Sequence, residues 1–144
     1  GYPGNLAWEK DLKMMGLPKL PLLIPSPPSG ANPNTLTEAQ SLVSYSKKER
    51  FEKIVIIAQP LHTLRSFLCT LTARKEIYRD LGIYVQVGEP LPWDEKVVHS
   101  QGIVKGSRID LLKRELERIN DPVNQGVLVP WEEGLEYLER RDNC

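Results

Sequence analysis

The sequence predicts an α/β domain in which helices cover both faces of a mainly parallel sheet. Apolar runs rich in β-branched residues alternate with segments of helical periodicity, and this alternation is typical of parallel sheets. The run from Ile54 to Ala58 lacks polar alternation, as expected for a strand buried on both faces. The repeated order of helix and strand predicts right-handed crossovers. A chain of 144 residues can bury a core of its own, so we expect residues 1–144 to form a single domain.

The first predicted elements are a helix and a short strand. Apolar residues at helical spacing run from Leu6 to Met15, and Gly16 is a normal helix stop. The run from Leu20 to Ile24 is bracketed by prolines and predicts a strand with an irregular start. Because a parallel sheet normally opens with a strand near the N-terminus, we expect one or two strands to lie upstream of Gly1.

The middle of the chain predicts two helices on either side of a strand. Thr35 and Glu38 fit a capping box, so the second helix is expected to begin at Thr35 or just before it and to end near Arg50. The strand from Ile54 to Ala58 follows. Apolar residues at helical spacing then predict a third helix from Leu61 to Ala73.

The last part of the chain predicts a strand, a long connection and two helices. The β-branched and aromatic content of Ile83 to Val87 predicts the strand. The connection from Gly88 to Lys105 is long for a compact domain, and such loops are commonly functional or mobile. A helix is expected from Ser107 to Ile119, and a final helix begins at Pro130. The apolar side of the first of these helices is predicted to consist of Ile109, Leu112, Leu116 and Ile119.

Composition and charge exclude several classes of partner. The 19 basic and 19 acidic side chains cancel, which removes the long-range field that nucleic-acid binders rely on. No apolar stretch approaches the roughly 18 residues of a membrane span, and the first residues do not form a signal peptide. The two cysteines, Cys69 and Cys144, form neither a disulfide framework nor a zinc site. We therefore expect a cytoplasmic domain that binds a small molecule, without nucleic acid, membrane or metal.

The predicted site lies where three segments follow predicted strands, namely residues 26–38, 59–65 and 88–99. In a parallel sheet these segments emerge at one edge, and ligands bind at that edge. Two helices also begin there, and their free N–H groups favour a phosphate or a carboxylate. Trp93 lies in the third segment and could be a lid over a ligand or an exposed loop residue.

His62 and Arg65 are the residues at this edge with the most useful chemistry. The planar fork of Arg65 suits an anionic group, and His62 could act as an acid or a base, since its ordinary pKa is about 6.5. Glu38 is assigned the second catalytic role, in which it orients substrate or water. The remaining predicted ligand-binding residues, beside Arg65, are Asn34, Thr35 and Gln59.

Plainer explanations stand beside these functional ones. Helix capping alone accounts for the polar residues from Asn34 to Glu38. His62 and Arg65 could be a surface histidine and a solvated arginine. Cys69 lies on the same helical side as both, but seven residues of helix separate it from His62 by about 10 Å. We therefore interpret Cys69 as a buried core thiol and not as a nucleophile.

The chain resembles the YdcF-like family, which includes ElyC and SanA. The resemblance covers about residues 7–87 and is carried by Asn34-Thr35, Glu38, the apolar strand, His62 and Arg65. It implies a Rossmann-like three-layer α/β sandwich with a polar pocket for a small ligand. The chain departs from the family at Gln59-Pro60, where a small hydroxyl residue is usual, and the family's first strand and glycine-containing loop are absent.

Two functions remain open at this point. The first is the binding of an anionic or nucleotide-like molecule, with S-adenosylmethionine among the possible ligands and with hydrolase or transferase activity. The second is a non-catalytic regulatory or interaction domain, in which the polar edge is merely capped and solvated. The resemblance implies cell-envelope biogenesis as one example of such a role.

Overall fold

The computed structural model describes residues 5–16, 34–88, 91–98 and 105–142, and these contain five helices and four strands. The predicted strand from Leu20 to Ile24 lies outside the described residues. The elements in chain order are α1 (Asn5–Met14), α2 (Thr35–Lys48), β1 (Lys53–Ile57), α3 (Thr63–Ile77), β2 (Gly82–Gln86), β3 (Lys96–Val98), β4 (Lys105–Ser107), α4 (Arg108–Asn124) and α5 (Trp131–Asp142).

The centre of the fold is a parallel pair of strands joined by a helix. β1 and β2 pair in parallel, with Lys53 opposite Gly82 and Ile57 opposite Gln86. α3 connects them, as parallel strands require a crossover. This confirms a mixed α/β fold with parallel pairing, and both strands lie within one residue of their predicted positions.

β1 is buried on one face, and the prediction of burial on both faces is wrong for the described part of the chain. Ile56 is 8% exposed, whereas its neighbours Val55 and Ile57 are 60% and 79% exposed. The side chains of a strand alternate between its faces. The helices among the described residues therefore cover the Ile56 face, and none of them covers the other.

α3 is the central helix and contributes to both hydrophobic clusters of the core. Leu68 and Leu71 pack with Ile56 and Ile83 of the strands, while Ala73, on another side of the helix, packs with residues of α2. The first cluster also receives side chains from α4 and α5, namely Ile119 and Tyr137. Burying one large apolar side chain is favourable by about 1.5–3 kcal/mol of free energy. The burial of these groups therefore holds the helices against the strand pair.

The outer edge of β2 is closed by side chains from α5. The backbone N–H of Ile83 donates to the Tyr137 hydroxyl at 2.6 Å, and its carbonyl accepts from Arg141 Nη1 at 2.8 Å. Tyr84 lies under the same guanidinium, 4.7 Å from ring centroid to Cζ. These contacts satisfy groups that an edge strand otherwise leaves open to another strand.

Other helix boundaries and one connection differ from the predictions. The region predicted as a long loop contains an antiparallel pair, β3 with β4. α3 begins at Thr63 and not at Leu61, because the preceding residues form a turn. α4 continues past Ile119 through Pro122, since Val123 still packs against both core clusters.

Candidate functional site

The start of α2 is capped by Asn34. Its side-chain oxygen accepts from the backbone N–H groups of Leu36 and Thr37, both at 3.0 Å, and the Thr37 hydroxyl accepts from the Asn34 N–H at 2.9 Å. The capping box is thus formed by Asn34 and Thr37, and the predicted box of Thr35 and Glu38 is wrong by one residue. Because Asn34 caps the helix, the Thr35 hydroxyl contacts Arg65 and His62 and not the helix backbone.

The start of α3 places an imidazole beside that hydroxyl. A turn after β1 is closed by the N–H groups of His62 and Thr63, which donate to the Gln59 carbonyl at 2.7 and 3.0 Å. His62 occupies the N-cap position but makes no side-chain capping hydrogen bond. The Gln59 side chain is exposed, and its predicted role in ligand binding stays a prediction.

Thr35, His62 and Arg65 are in mutual contact at the carboxyl end of β1. Arg65 Nη1 donates to the Thr35 hydroxyl at 2.9 Å, and Arg65 Nη2 lies 2.9 Å from His62 Nδ1. His62 Nε2 lies 3.4 Å from the Thr35 hydroxyl. Residues that are about thirty positions apart in the sequence therefore share one polar cluster.

The fourth member of the polar cluster is Glu115 of α4, which the sequence analysis missed. Arg65 Nε donates to Glu115 Oε2 at 2.8 Å, and His62 Nδ1 lies 3.3 Å from the same oxygen. Arg118, one turn further along α4, donates to Oε1 at 3.1 Å. We use the name polar cluster below for Thr35, His62, Arg65 and Glu115.

The position of Glu115 also corrects the predicted apolar side of α4. Leu111, Glu115 and Ile119 are each 2% exposed or less, whereas Ile109 and Leu116 are 41% and 36% exposed. The signal in the sequence that could have revealed Glu115 was its spacing. It lies four residues after Leu111 and four residues before Ile119, which are both aliphatic and buried. This spacing indicates a buried charge with a partner, because an unpaired one would be too costly.

Glu115 is ionised in this setting. Burial alone would raise the pKa of its carboxyl group, but hydrogen bonds with His62 and Arg65, and the charge of Arg65, outweigh that effect and lower the pKa from 4.5 to about 2. At neutral pH a carboxylate and a guanidinium therefore face each other inside the domain.

The protonation of His62 decides which neighbour its Nδ1 contacts. A guanidinium only donates hydrogen bonds, so a neutral imidazole accepts from Arg65 at Nδ1 and carries its proton on Nε2. The Nε2–H group then faces the Thr35 hydroxyl. In the protonated ring, Nδ1–H has the carboxylate of Glu115 within 3.3 Å.

A groove of about 370 Å³ adjoins the polar cluster between α2, β1 and α3. Thr35, Glu38, Val55 and Ser66 are among its lining residues. Glu38 is exposed and lies one helical turn from Thr35, so the groove and not the polar cluster contains this carboxylate. Its assigned catalytic role stays a prediction.

Cys69 is a buried thiol, as interpreted from the sequence. It is 3% exposed, and burial raises its pKa from 9.0 to about 11. A thiol with a pKa well above neutral is a poor nucleophile, because the thiolate is the reactive form.

Within the described ranges, no helix is long and apolar enough to cross a membrane. The same residues contain no group of three or more His, Cys, Asp or Glu side chains that could hold a metal ion. Comparisons with protein-family models, curated proteins and solved structures gave no match. The resemblance to the YdcF-like family therefore rests on the motif residues quoted above and stays a prediction.

Proposed function

We propose that the polar cluster is the centre of a binding site for an anionic or nucleotide-like small molecule, and that the chain acts on it as a hydrolase or transferase. In this proposal the β1, α3 and β2 unit belongs to a Rossmann-like three-layer sandwich of the YdcF-like kind. The proposal keeps the cytoplasmic location predicted from the sequence.

The observation that supports the proposal is the buried ion pair between Arg65 and Glu115. Removing two charges from water costs several kcal/mol per ion, and well-packed apolar residues are often at least as stable. Strongly perturbed carboxyl groups of this kind occur preferentially at functional sites. Here the pair also holds a histidine at the edge of the sheet where ligands of α/β folds bind.

The chemistry that fits this geometry is acid–base catalysis by His62. The protonated ring can donate its Nε2 proton to a leaving group, and the proton that remains on Nδ1 then faces Glu115. In the neutral ring whose Nδ1 accepts from Arg65, the Nε2–H group can bond to an anionic oxygen. The Thr35 hydroxyl is a second polar group on the same side. Glu115 contacts both His62 and Arg65, so it acts as a positioning residue.

The charge of the site fits an anionic ligand. Two guanidinium groups, of Arg65 and Arg118, face the carboxylate of Glu115 and leave one net positive charge there, while the Glu38 carboxylate lies in the adjoining groove. Both α2 and α3 begin at the site, and the N-terminus of each helix adds partial positive charge. Arg65 is paired with Glu115. In this arrangement Arg65 positions the other residues of the site and is not an unpaired guanidinium that could bind an anion by itself.

The test is a melting-temperature screen against nucleotides, S-adenosylmethionine and sugar phosphates. We expect one class of compound to raise the melting temperature of the parent chain. The response should be lost in Thr35→Val, which removes the hydroxyl at nearly constant volume, and should persist in Thr35→Ser, which retains it. A panel without any response, or equal responses of both variants, would overturn the proposal.

One observation favours the second candidate, an interaction domain. The face of β1 with Val55 and Ile57 is exposed among the described residues, and exposed apolar side chains in a row can receive another polypeptide. This candidate requires no ligand in the polar cluster. It predicts that His62→Gln leaves every function of the chain unchanged, whereas the first candidate predicts loss of activity on the responding compound.

A further inference from the structure

A second cavity lies at the carboxyl end of β2, apart from the polar cluster. It has a volume of about 620 Å³ and is bordered by α3, α4, α5 and the segment around Trp93. Pockets for small organic ligands typically have about 300–1,000 Å³. None of the four polar-cluster residues lines it, although Pro60 of the turn before α3 and Thr63, the first residue of α3, do.

The walls of this cavity are mainly apolar. Leu64 and Phe67 come from α3, Leu112 from α4 and Leu138 from α5. Trp93 completes the rim and is 51% exposed. An apolar group that covered these side chains would remove them from water, which is favourable by about 25 cal/mol per Å².

Backbone hydrogen bonds attach the Trp93 segment to the start of α4. The N–H of Ile109 donates to the Trp93 carbonyl at 3.0 Å, and the N–H of Arg108 donates to the Glu95 carbonyl at 3.1 Å. The Arg108 side chain also donates to the Pro92 carbonyl at 2.9 Å. The wall is therefore formed before a ligand arrives, which lowers the entropy lost on binding.

Among the described residues that line the cavity, the charged groups are both cations. Arg108 and Arg141 contribute to the lining, and none of the described carboxylates does. Their ion-pair partners, Glu95 and Asp142, have side chains that are 53% and 60% exposed. The arginines themselves are only 14% and 19% exposed. A pair whose carboxylate is this solvated is weak, so a ligand anion can share or replace the carboxylate.

We propose that this cavity binds an amphiphilic anion, which is an apolar chain or ring with one carboxylate, sulfonate or phosphate group. The apolar part lies against Phe67, Leu112 and Trp93, and the anionic group lies beside the two arginines. This site is independent of the proposed function of the polar cluster.

The experiment is a calorimetric titration of the chain with decanoate, decanol and acetate, with the two longer compounds kept below the concentrations at which they aggregate. Decanoate is expected to bind in a one-to-one complex. Decanol should bind about tenfold more weakly, because it lacks the charge-assisted hydrogen bonds of the carboxylate. Acetate should give no measurable heat, because it has almost no apolar surface to bury.

Two pairs of variants locate the site. Leu64→Gln should weaken decanoate binding about tenfold, whereas Leu135→Gln, on a 62% exposed position of α5, should not. Arg108→Gln should reduce decanoate to the affinity of decanol, whereas Arg114→Gln on the same helix should leave the difference intact.

Three results would overturn this proposal. They are the absence of decanoate binding, equal binding of decanoate and decanol, and loss of decanoate binding in His62→Gln. The last result would place the ligand at the polar cluster. A parent chain that binds decanoate but responds to none of the nucleotides and sugar phosphates would support this inference while the proposed function fails.

Discussion

β1 and β2 have the same length and pair along all of it, yet their surroundings differ. β1 ends at a polar cluster with a buried carboxylate, and one of its faces exposes Val55 and Ile57. β2 ends at an apolar cavity, and its outer edge is closed by Tyr137 and Arg141. Charge pairing organises the end of β1, whereas side-chain packing organises the end of β2.

This difference shows that two strands of one sheet can end in unlike surroundings. A buried ion pair fixes a few atoms at defined distances, but it costs desolvation free energy. An apolar cavity fixes no single atom and tolerates ligands of several shapes. We therefore expect substitutions at the end of β1 to affect stability strongly, and substitutions at the end of β2 to affect ligand binding more than stability.

The largest contrast is expected between two arginines. Arg65→Ala removes the less exposed of the two guanidinium groups at the buried Glu115 and leaves it with the 49% exposed Arg118 and with His62, so the free energy of unfolding should fall by about 3 kcal/mol. Arg108→Ala breaks a pair with an exposed carboxylate and one hydrogen bond to the Pro92 carbonyl, and should cost about 1–2 kcal/mol. Urea denaturation of both variants measures the difference. Equal losses would show that the two strand ends do not differ in this way.

The next effect is the pH dependence that Glu115 confers. Its pKa is about 2 in the folded chain against an ordinary 4.5. Because the folded-state pKa is the lower one, the stabilisation is present above about pH 4.5 and is lost as the pH falls toward about 2. The corresponding free energy is about 3 kcal/mol.

Glu115→Gln tests this dependence against the parent chain. The variant should be less stable by about 3 kcal/mol at neutral pH, and the gap should close as the solution is acidified. Glu117→Gln, at an exposed position of the same helix, controls for the change in net charge. A gap that stays constant over the whole pH range would contradict the ionised, buried state of Glu115.

A smaller loss is expected where α5 closes the edge of β2. Tyr137→Phe removes the acceptor of the buried Ile83 N–H and should cost about 1–3 kcal/mol. Tyr45→Phe on α2, where the ring packs edge-on against Phe51, should change stability by about 0.5 kcal/mol or less. Thermal unfolding of both variants provides the comparison, and equal losses would argue against the closing role of Tyr137.

The smallest effect is expected on the exposed face of β1. Ile57 is 79% exposed, so Ile57→Thr should change stability by about 0.5 kcal/mol or less. The adjacent Ile56 is 8% exposed, and Ile56→Thr should cost about 2 kcal/mol or more. If Ile57→Thr proves as costly as Ile56→Thr in urea denaturation, a segment of the chain covers this face.

The local sequence was sufficient to predict the two parallel strands, because β-branched runs indicated β1 and β2. Thr35 and His62 were both expected at one edge of the sheet and are in contact. The strand that was expected before Thr35 lies outside the described residues. The rule that parallel strands end at one edge could not rank the residues within each loop. Asn34 and Thr35 are both good N-cap residues, and only the observed hydrogen bonds show that Asn34 caps α2 while Thr35 contacts His62.

Tertiary contacts decided the remaining features. Glu115 lies fifty residues beyond Arg65, and nothing in the sequence around either residue specifies the other as its partner. The burial of one face of β1 depends on which elements pack against it, which a run of apolar residues does not reveal. The β3 and β4 pair is only three residues long in each strand, too short for a periodic pattern.

The most direct test is a nitrogen NMR spectrum of the His62 imidazole, recorded with and without a compound that raises the melting temperature. Our account predicts that the neutral ring carries its proton on Nε2, because Arg65 donates to Nδ1, and that the Nε2 resonance shifts when the compound binds. A neutral ring protonated on Nδ1, with an Nε2 resonance that no compound moves, would contradict it.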